Sequence, residues 1–186
     1  RELTVTAITR ESDSVISVRL EDPDGTPLPP ALPGQYLTLR VSSVLRSYSM
    51  CGPPGAGYYR VGVKREPDGV ASGYLHTRLA VGDRLEVAAP RGTFTLDRSD
   101  APVLLISAGI GATPVLAMLN ALATEHSDRE IWWLHGARTS RDHAFAAEAG
   151  TLLASLPNAR AHIFYSREGT GRLTASAVAE LEPPRD

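Results

Sequence analysis

The sequence is poor in cysteine: Cys51 stands alone among 186 residues. That excludes an internal disulfide, and it excludes any iron–sulfur cluster held by four cysteines of this chain. The histidines, His76, His126, His135, His143 and His162, are scattered without paired ligand spacing. No metal centre is expected, and surface or packing roles suit each of them. No basic block is present either, and the formal net charge is -2, so neither nucleic acid nor an anionic membrane is an expected partner. No apolar run reaches the roughly 20 residues of a membrane span. The start, RELTVTAITRES, resembles neither a signal nor a transit peptide. A soluble cytoplasmic protein is the expectation. Internal repeats and low-complexity tracts are also missing.

What is present falls into two regimes. Up to residue 96 the chain reads as all-β. Leu3 to Thr9 and Val15 to Leu20 alternate apolar and polar residues, and Asp22-Pro23-Asp24-Gly25 supplies a turn. Pro27 to Pro33 is a proline-rich loop, and Gly34 opens a third strand, Gln35 to Val41. Arg46 to Met50, Tyr58 to Arg65 and Arg84 to Ala88 follow, with Thr93 to Leu96 closing a set of six or so short strands. Such spacing predicts a small antiparallel barrel. One helix interrupts it, Ser72 to Leu79, with Leu75 and Leu79 on one face and Ser72 placed to cap its start.

Asp97 to Pro102 then breaks the β pattern. Apolar runs at Val103 to Ile106, Ile131 to Leu134 and Ala161 to Tyr165 alternate with helical stretches at Pro114 to Thr124 and Ala144 to Leu156. That alternation predicts a three-stranded parallel α/β sheet. Within it, Val103 to Leu122 reads as a buried strand, a glycine turn and a helix. Gly109 and Gly111 let the backbone turn tightly, Thr113 suits an N-cap and Pro114 a first helical position. The free N–H groups at the start of such a helix make an anion site. Taken alone, the turn serves a phosphate site and a purely structural role equally. Pro114 stands where a third glycine of the dinucleotide fingerprint would be, and His135-Gly136-Ala137-Arg138 after the next run offers no carboxylate to a ribose.

Three motifs in order resemble the ferredoxin–NADP reductase superfamily. Arg46-Ser47-Tyr48-Ser49 is similar to its R-x-Y-S/T motif, Gly69-Val70-Ala71-Ser72 to its G-x-x-S motif, and Gly109 to Pro114 to its G-x-G-x-x-P motif. Similarity to the reductase modules of flavohaemoglobins and of bacterial oxygenase reductases runs through PGQYLTL, VKREPDG, SGYLH, VGDRLEVAAPRGTF and LISAGIGATPVLAML. The resemblance implies a six-stranded flavin-binding barrel over 1–97, followed by an NAD(P)-binding α/β domain over 98–186. It implies FAD, with FMN as the alternative, and NADPH or NADH as the electron source.

The roles it implies are specific. Tyr48 would pack on the flavin ring, Arg46 would pair with a flavin phosphate, and Ser49 would bond near the hydride-accepting nitrogen, which makes Tyr48 and Ser49 the residues at the reacting atoms. Ser47 belongs to the same motif, and Tyr36 resembles a further flavin-contacting aromatic. Val63, Lys64 and Arg65 would line the flavin, while Val70, Ala71 and Ser72 would face its phosphates. Gly109, Ile110, Gly111, Ala112, Thr113 and Pro114 would hold the nicotinamide dinucleotide. Ser166 and Arg167 resemble a pair that binds a 2′-phosphate, and Arg138 would serve the adenosine end. No general base is implied, because the cofactors carry the chemistry. Electrons would pass to a haem or iron–sulfur domain or protein outside this chain. The alternative is a regulatory module that binds flavin or nucleotide without turnover.

The sequence also departs from the pattern. A late strand followed by C-G-P is expected after the third parallel strand, and the chain stops at Asp186. Cys51-Gly52-Pro53 matches those letters only, and reads as a turn after the R-x-Y-S strand. The second domain is therefore expected to lack its last strands, leaving Val103 to Ile106 as an exposed apolar edge. Weakened nicotinamide binding and slow hydride transfer would follow.

Overall fold

A computed structural model describes residues 1–184; the last two residues of the expected second domain lie outside them. The first half is a six-stranded antiparallel sheet built from β1 (Glu2–Arg10), β2 (Val15–Glu21), β3 (Tyr36–Val41), β4 (Val44–Ser49), β5 (Tyr59–Lys64) and β6 (Arg84–Val87), in the order β4-β3-β6-β1-β2-β5. A bridge between Met50 and Val61 joins the two ends of that order and closes the barrel. The alternation read from the sequence becomes its inner face: Leu3, Val5, Val18, Leu20, Leu37, Leu39, Val61 and Val63 are fully buried. Helix α1 (Val70–Thr77) plugs one end, with Ala71 and Leu75 in the same core.

Two details correct the sequence reading of this half. Thr93 to Leu96 forms no strand. The ladder stops at a bridge between Arg91 and Tyr36, just after Pro90 has removed a donor, and the Leu96 N–H turns to the Pro33 carbonyl at 3.2 Å. Phe94 is left 64% exposed. Helix α1 begins two residues before Ser72, with Gly69 as its N-cap residue. The Ser72 hydroxyl instead accepts from the Glu66 N–H at 3.1 Å and donates to the Gly69 carbonyl at 3.3 Å.

Besides the Leu96 bond at Pro33, the proline-rich loop is tied down by a bond from the Tyr59 hydroxyl to the Pro29 carbonyl at 2.5 Å. Tyr59→Phe is expected to cost about 1 kcal/mol of stability, the usual worth of such a bond. Urea denaturation of the variant beside the wild type measures it.

The second half is a three-stranded parallel sheet of β7 (Val103–Ala108), β8 (Ile131–Ala137) and β9 (Ala159–Tyr165), in the order β7-β8-β9. Central β8 is buried from Ile131 to His135, the continuous run that a strand covered on both faces requires. β7 lies at the edge of the described sheet, with Ile106 46% exposed. Helix α2 (Ala112–Thr124) follows β7, α3 (Ala146–Ala154) follows β8, and a short α4 (Ala175–Glu180) follows β9. α2 is buried from Val115 to Leu122, because the sheet covers one side and the barrel and α3 the others. Its N-cap residue is Gly111, so Thr113 and Pro114 sit inside the first turn; the Thr113 hydroxyl donates back to the Ile110 carbonyl at 2.9 Å. Proline is still harmless there, since first-turn N–H groups have no helical partner. Among the described residues, no helix is long and apolar enough to cross a membrane.

Candidate cofactor site at the junction of the two sheets

Strand β4 brings Arg46, Ser47, Tyr48 and Ser49 to one side of a cavity of about 480 Å³. Its other walls are Gly62 and Lys64 of β5, Glu66, the segment from Asp68 to Ser72, and Ile110, Gly111, Thr113 and Pro114 from the second half. Alternation along the strand separates the four β4 residues: Arg46 and Tyr48 share one face, while the Ser47 hydroxyl on the other bonds Thr38 at 3.0 Å. Tyr48 is half-buried against the barrel core. Burial pushes its phenol above the ordinary value and outweighs the opposing Arg46 charge, so it stays protonated at neutral pH. Arg46 is exposed, and its guanidinium donates to the neighbouring Leu45 carbonyl at 2.8 Å. The first helical bond of α1 is Gly73 to Gly69. The N–H groups of Val70, Ala71 and Ser72 are therefore free of helical partners at the cavity wall.

A second cavity, about 610 Å³, opens at the carboxyl ends of the parallel strands. Ala108, Gly109 and Ile110 line it at and beyond the end of β7, Gly136, Ala137, Arg138 and Asp142 at and beyond the end of β8, and Phe164, Ser166, Arg172 and Leu173 at and beyond the end of β9. This is where open parallel sheets bind ligands. Gly109 turns there with φ +52°, the left-handed region glycine adopts freely. Lys64 and Ile110 line both cavities, so the two meet at those residues.

The structure thus gathers most of the expected residues, and places others elsewhere. Val63 is fully buried in the barrel core and Ala112 in the core of the second half. Arg65 is exposed, with its N–H on the Ser14 carbonyl. Tyr36 pairs with Ser49 across β3 and β4, and its ring lies against Gly92. Arg167 is exposed and lines neither cavity; Arg172 reaches the second one, after a loop turned by Gly169 and Gly171 at φ +91° and +80°.

Among the lining residues that escaped the sequence reading, three stand out. Gly62 is one, although a glycine inside a strand signals close approach of another chain. Arg172 is another. The third is Asp142, a carboxylate on the wall of the second cavity beyond the His135 to Arg138 stretch that offers none. It sits five residues beyond β8 in a short 3-10 turn, and its oxygens accept from Thr139 at 2.8 Å and Arg138 at 3.0 Å. The Thr139 hydroxyl, then Arg138, hold its pKa below the usual carboxylate value against the effect of burial.

Residues 2–96 match the family model of the oxidoreductase FAD-binding domain, and residues 105–179 that of the oxidoreductase NAD-binding domain. A flavohemoprotein of Deinococcus radiodurans is 38% identical over 190 residues, covering 93% of this chain and 47% of that protein. The flavohem-like FAD/NAD binding domain of nitric oxide dioxygenase from Vibrio cholerae superposes with a TM-score of 0.89 at 31% identity, covering 95% of this chain and 80% of that one. The flavohemoglobin of Malassezia yamatoensis, with bound FAD and heme, gives a TM-score of 0.86 at 25% identity, covering 98% of this chain and 50% of that one. The chain spans about half the length of these two full-length relatives. With a closed barrel, a parallel sheet and a cavity pair between them, it belongs to the ferredoxin–NADP reductase superfamily, as an FAD-binding domain followed by an NAD-binding domain.

Proposed function

We propose that the chain is a reductase module, taking hydride from NADH or NADPH onto FAD and passing electrons to a haem or iron–sulfur acceptor outside it. The observation that carries this reading is the meeting of the two cavities at Lys64 and Ile110. A barrel-side site and a nucleotide-side site with a common wall suit two cofactors that must touch.

The residues present fit a flavin. The first cavity falls in the usual range for cofactor sites, roughly 300 to 1,000 Å³. Tyr48 offers a flat, half-buried ring, and Arg46 a charged fork for a phosphate. The free N–H groups of Val70, Ala71 and Ser72 add the positive end of α1. When bound, FAD would supply the redox chemistry, accepting hydride and releasing electrons. Protein groups need only bind and orient, so no side-chain acid or base is assigned. Ser49 ends β4 beside Tyr48 and takes the role of a positioned hydroxyl there.

On the nucleotide side, the turn from Gly109 to Pro114 and the first turn of α2 would face a pyrophosphate. Lys64, Arg138 and Arg172 outnumber Asp142 around that cavity, which suits an anionic ligand. Ser166 and Arg172 then become the residues nearest the adenosine end, in place of the expected Ser166 and Arg167 pair. The domain boundary is assigned between residues 97 and 98, in the irregular segment before β7.

Arg46→Ala is expected to weaken FAD binding about tenfold or more, since a hydrogen bond to a charged group is worth about 1.5–3 kcal/mol. Quenching of flavin fluorescence on titration with protein measures it. The reading itself is tested by releasing the flavin from purified protein and weighing it: FAD is the expected mass. Protein that stays colourless after incubation with both FAD and FMN overturns the proposal.

A further inference from the structure

A second set of contacts crosses the junction, away from both cavities. Arg60 of β5 donates through Nη2 to both carboxylate oxygens of Glu148 on α3, at 2.6 and 2.8 Å, and to the Cys51 carbonyl at 2.7 Å. Asn120 of α2 donates to the same carboxylate at 3.2 Å and to the Leu116 carbonyl at 3.1 Å. The two charged side chains are only 18% and 28% exposed. Of the nine ion pairs among the described residues, this one alone joins the barrel to the α/β half. Exposed pairs contribute little, but a shielded, multiply bonded one fixes geometry.

Phe145 stands next to this pair, and its backbone is held in the left-handed region at φ +64°, where a large side chain is rarely found. Its ring centroid lies 5.8 Å from the Arg60 guanidinium, within cation–π range. Such a conformation persists only where its surroundings enforce it. Arg60 and Gly62 are two residues apart on β5 and so share a face. Gly62 is the point where the barrel abuts Thr113, Phe145 and Ile110. One face of one strand therefore carries both the ion pair and the seat of the nucleotide turn.

We propose that Arg60 and Glu148, backed by Asn120 and Phe145, are positioning residues that fix the angle between the two halves and so hold the Gly109 to Pro114 turn against the barrel cavity. The proposal rests on the reading of those cavities as flavin and nicotinamide sites. Neither Arg60 nor Glu148 lines them. Their effect is therefore on approach of the reacting atoms and not on cofactor affinity.

The chain supplies its own distance probe. Its two tryptophans, Trp132 and Trp133, are both on β8 in the second half, while the flavin would sit in the barrel. Arg60→Gln and Glu148→Gln are prepared in the full chain, loaded with FAD, together with the exchange of Arg60→Glu and Glu148→Arg. Glu148→Gln keeps size and shape, and serves if the arginine variants fail to fold. The expected result is unchanged FAD stoichiometry, weaker energy transfer from tryptophan to flavin with a longer tryptophan lifetime, and flavin reduction slowed on the order of tenfold at saturating nucleotide, with its KM unchanged. Partial recovery in the exchanged pair is expected as well. Wild-type energy transfer and reduction rate in Glu148→Gln overturn the proposal. So does a loss of FAD binding that accounts for the whole rate defect. Should wild-type protein carrying FAD resist both NADH and NADPH, the functional reading fails by itself. Energy transfer then still decides the domain joint: weakened transfer in Glu148→Gln upholds it and unchanged transfer overturns it.

Discussion

Gly62→Ala is expected to slow reduction of bound FAD by NADH or NADPH about 100-fold, the usual consequence of moving reacting groups by about 1 Å. A methyl carbon built on Gly62 would lie 2.4 Å from Thr113 Cγ2, 3.2 Å from Phe145 Cζ and 3.4 Å from Ile110 Cδ1. Neither side can give way locally. Gly62 lies on β5 between Val61 and Val63, both fully buried, and Thr113 is buried in the first turn of α2 with its hydroxyl tied to Ile110. The two halves must separate, carrying the nucleotide turn with them. Stability should fall by about 1–3 kcal/mol, as for other overpacked sites. Adding Thr113→Ser removes the clashing methyl while keeping the hydroxyl, and should restore much of the rate. Stopped-flow reduction of the FAD-loaded single and double variants measures both effects. A wild-type rate in Gly62→Ala would show that this contact does not set the approach.

Acid is expected to destabilise the fold through one histidine. His135, at the end of β8, is fully buried; its Nδ1 shares a proton with Ser107 Oγ at 2.8 Å, and its ring stacks on His143 at 4.5 Å. His143 in turn bonds the Tyr165 hydroxyl through Nδ1 at 2.9 Å. Burial, and then the neighbouring His143, push the pKa of His135 down from 6.5 to about 4; burial also lowers that of His143. Between pH 6.5 and about 4 the unfolded chain therefore binds a proton at His135 that the folded chain refuses. The stabilisation is complete above the upper value and lost as pH falls toward the lower. A shift of this size corresponds to about 3 kcal/mol. His135→Gln removes the titration, so the fall in stability between pH 7 and 4.5 should be smaller in the variant, by up to about 3 kcal/mol. Urea denaturation at the two pH values checks it; equal losses would locate the acid sensitivity elsewhere.

The legible parts of this molecule are those fixed by local periodicity. Leu3 and Val5 of β1 and Val18 and Leu20 of β2 alternate with less buried neighbours because they face the barrel core, although a bulge between Val5 and Ala7 and the packing of Val15 in the other core interrupt the pattern. β8 reads as a continuous run because both faces are covered. Thr93 to Leu96 alternates equally well, but its backbone is captured by the Pro33 turn, a contact with residues about 60 positions away in sequence that periodicity does not report. Motif letters placed Arg46 to Ser49 and Gly109 to Pro114 at the same junction, and the structure brings all but Gly109 and Ala112 to the first cavity wall. Charged partners were harder. Arg172 stood in plain view, yet it and not Arg167 lines the second cavity, after a loop in which Gly169 and Gly171 are left-handed. Asp142 was hidden by its distance past the strand end. Arg60 and Glu148, 88 residues apart, are joined by the packing of two domains that no local pattern encodes. Cys51 illustrates the converse: its letters match a catalytic motif, but it is fully buried, and burial pushes its thiol up to about 12.

The central claim is that a nicotinamide held by the second half reduces a flavin held by the first. Mixing FAD-loaded protein with NADH or NADPH under anaerobic conditions tests it directly. The account predicts that the visible flavin band bleaches with one of these nucleotides and returns when air is admitted. A protein fully loaded with FAD whose spectrum is unchanged by both nucleotides would contradict it.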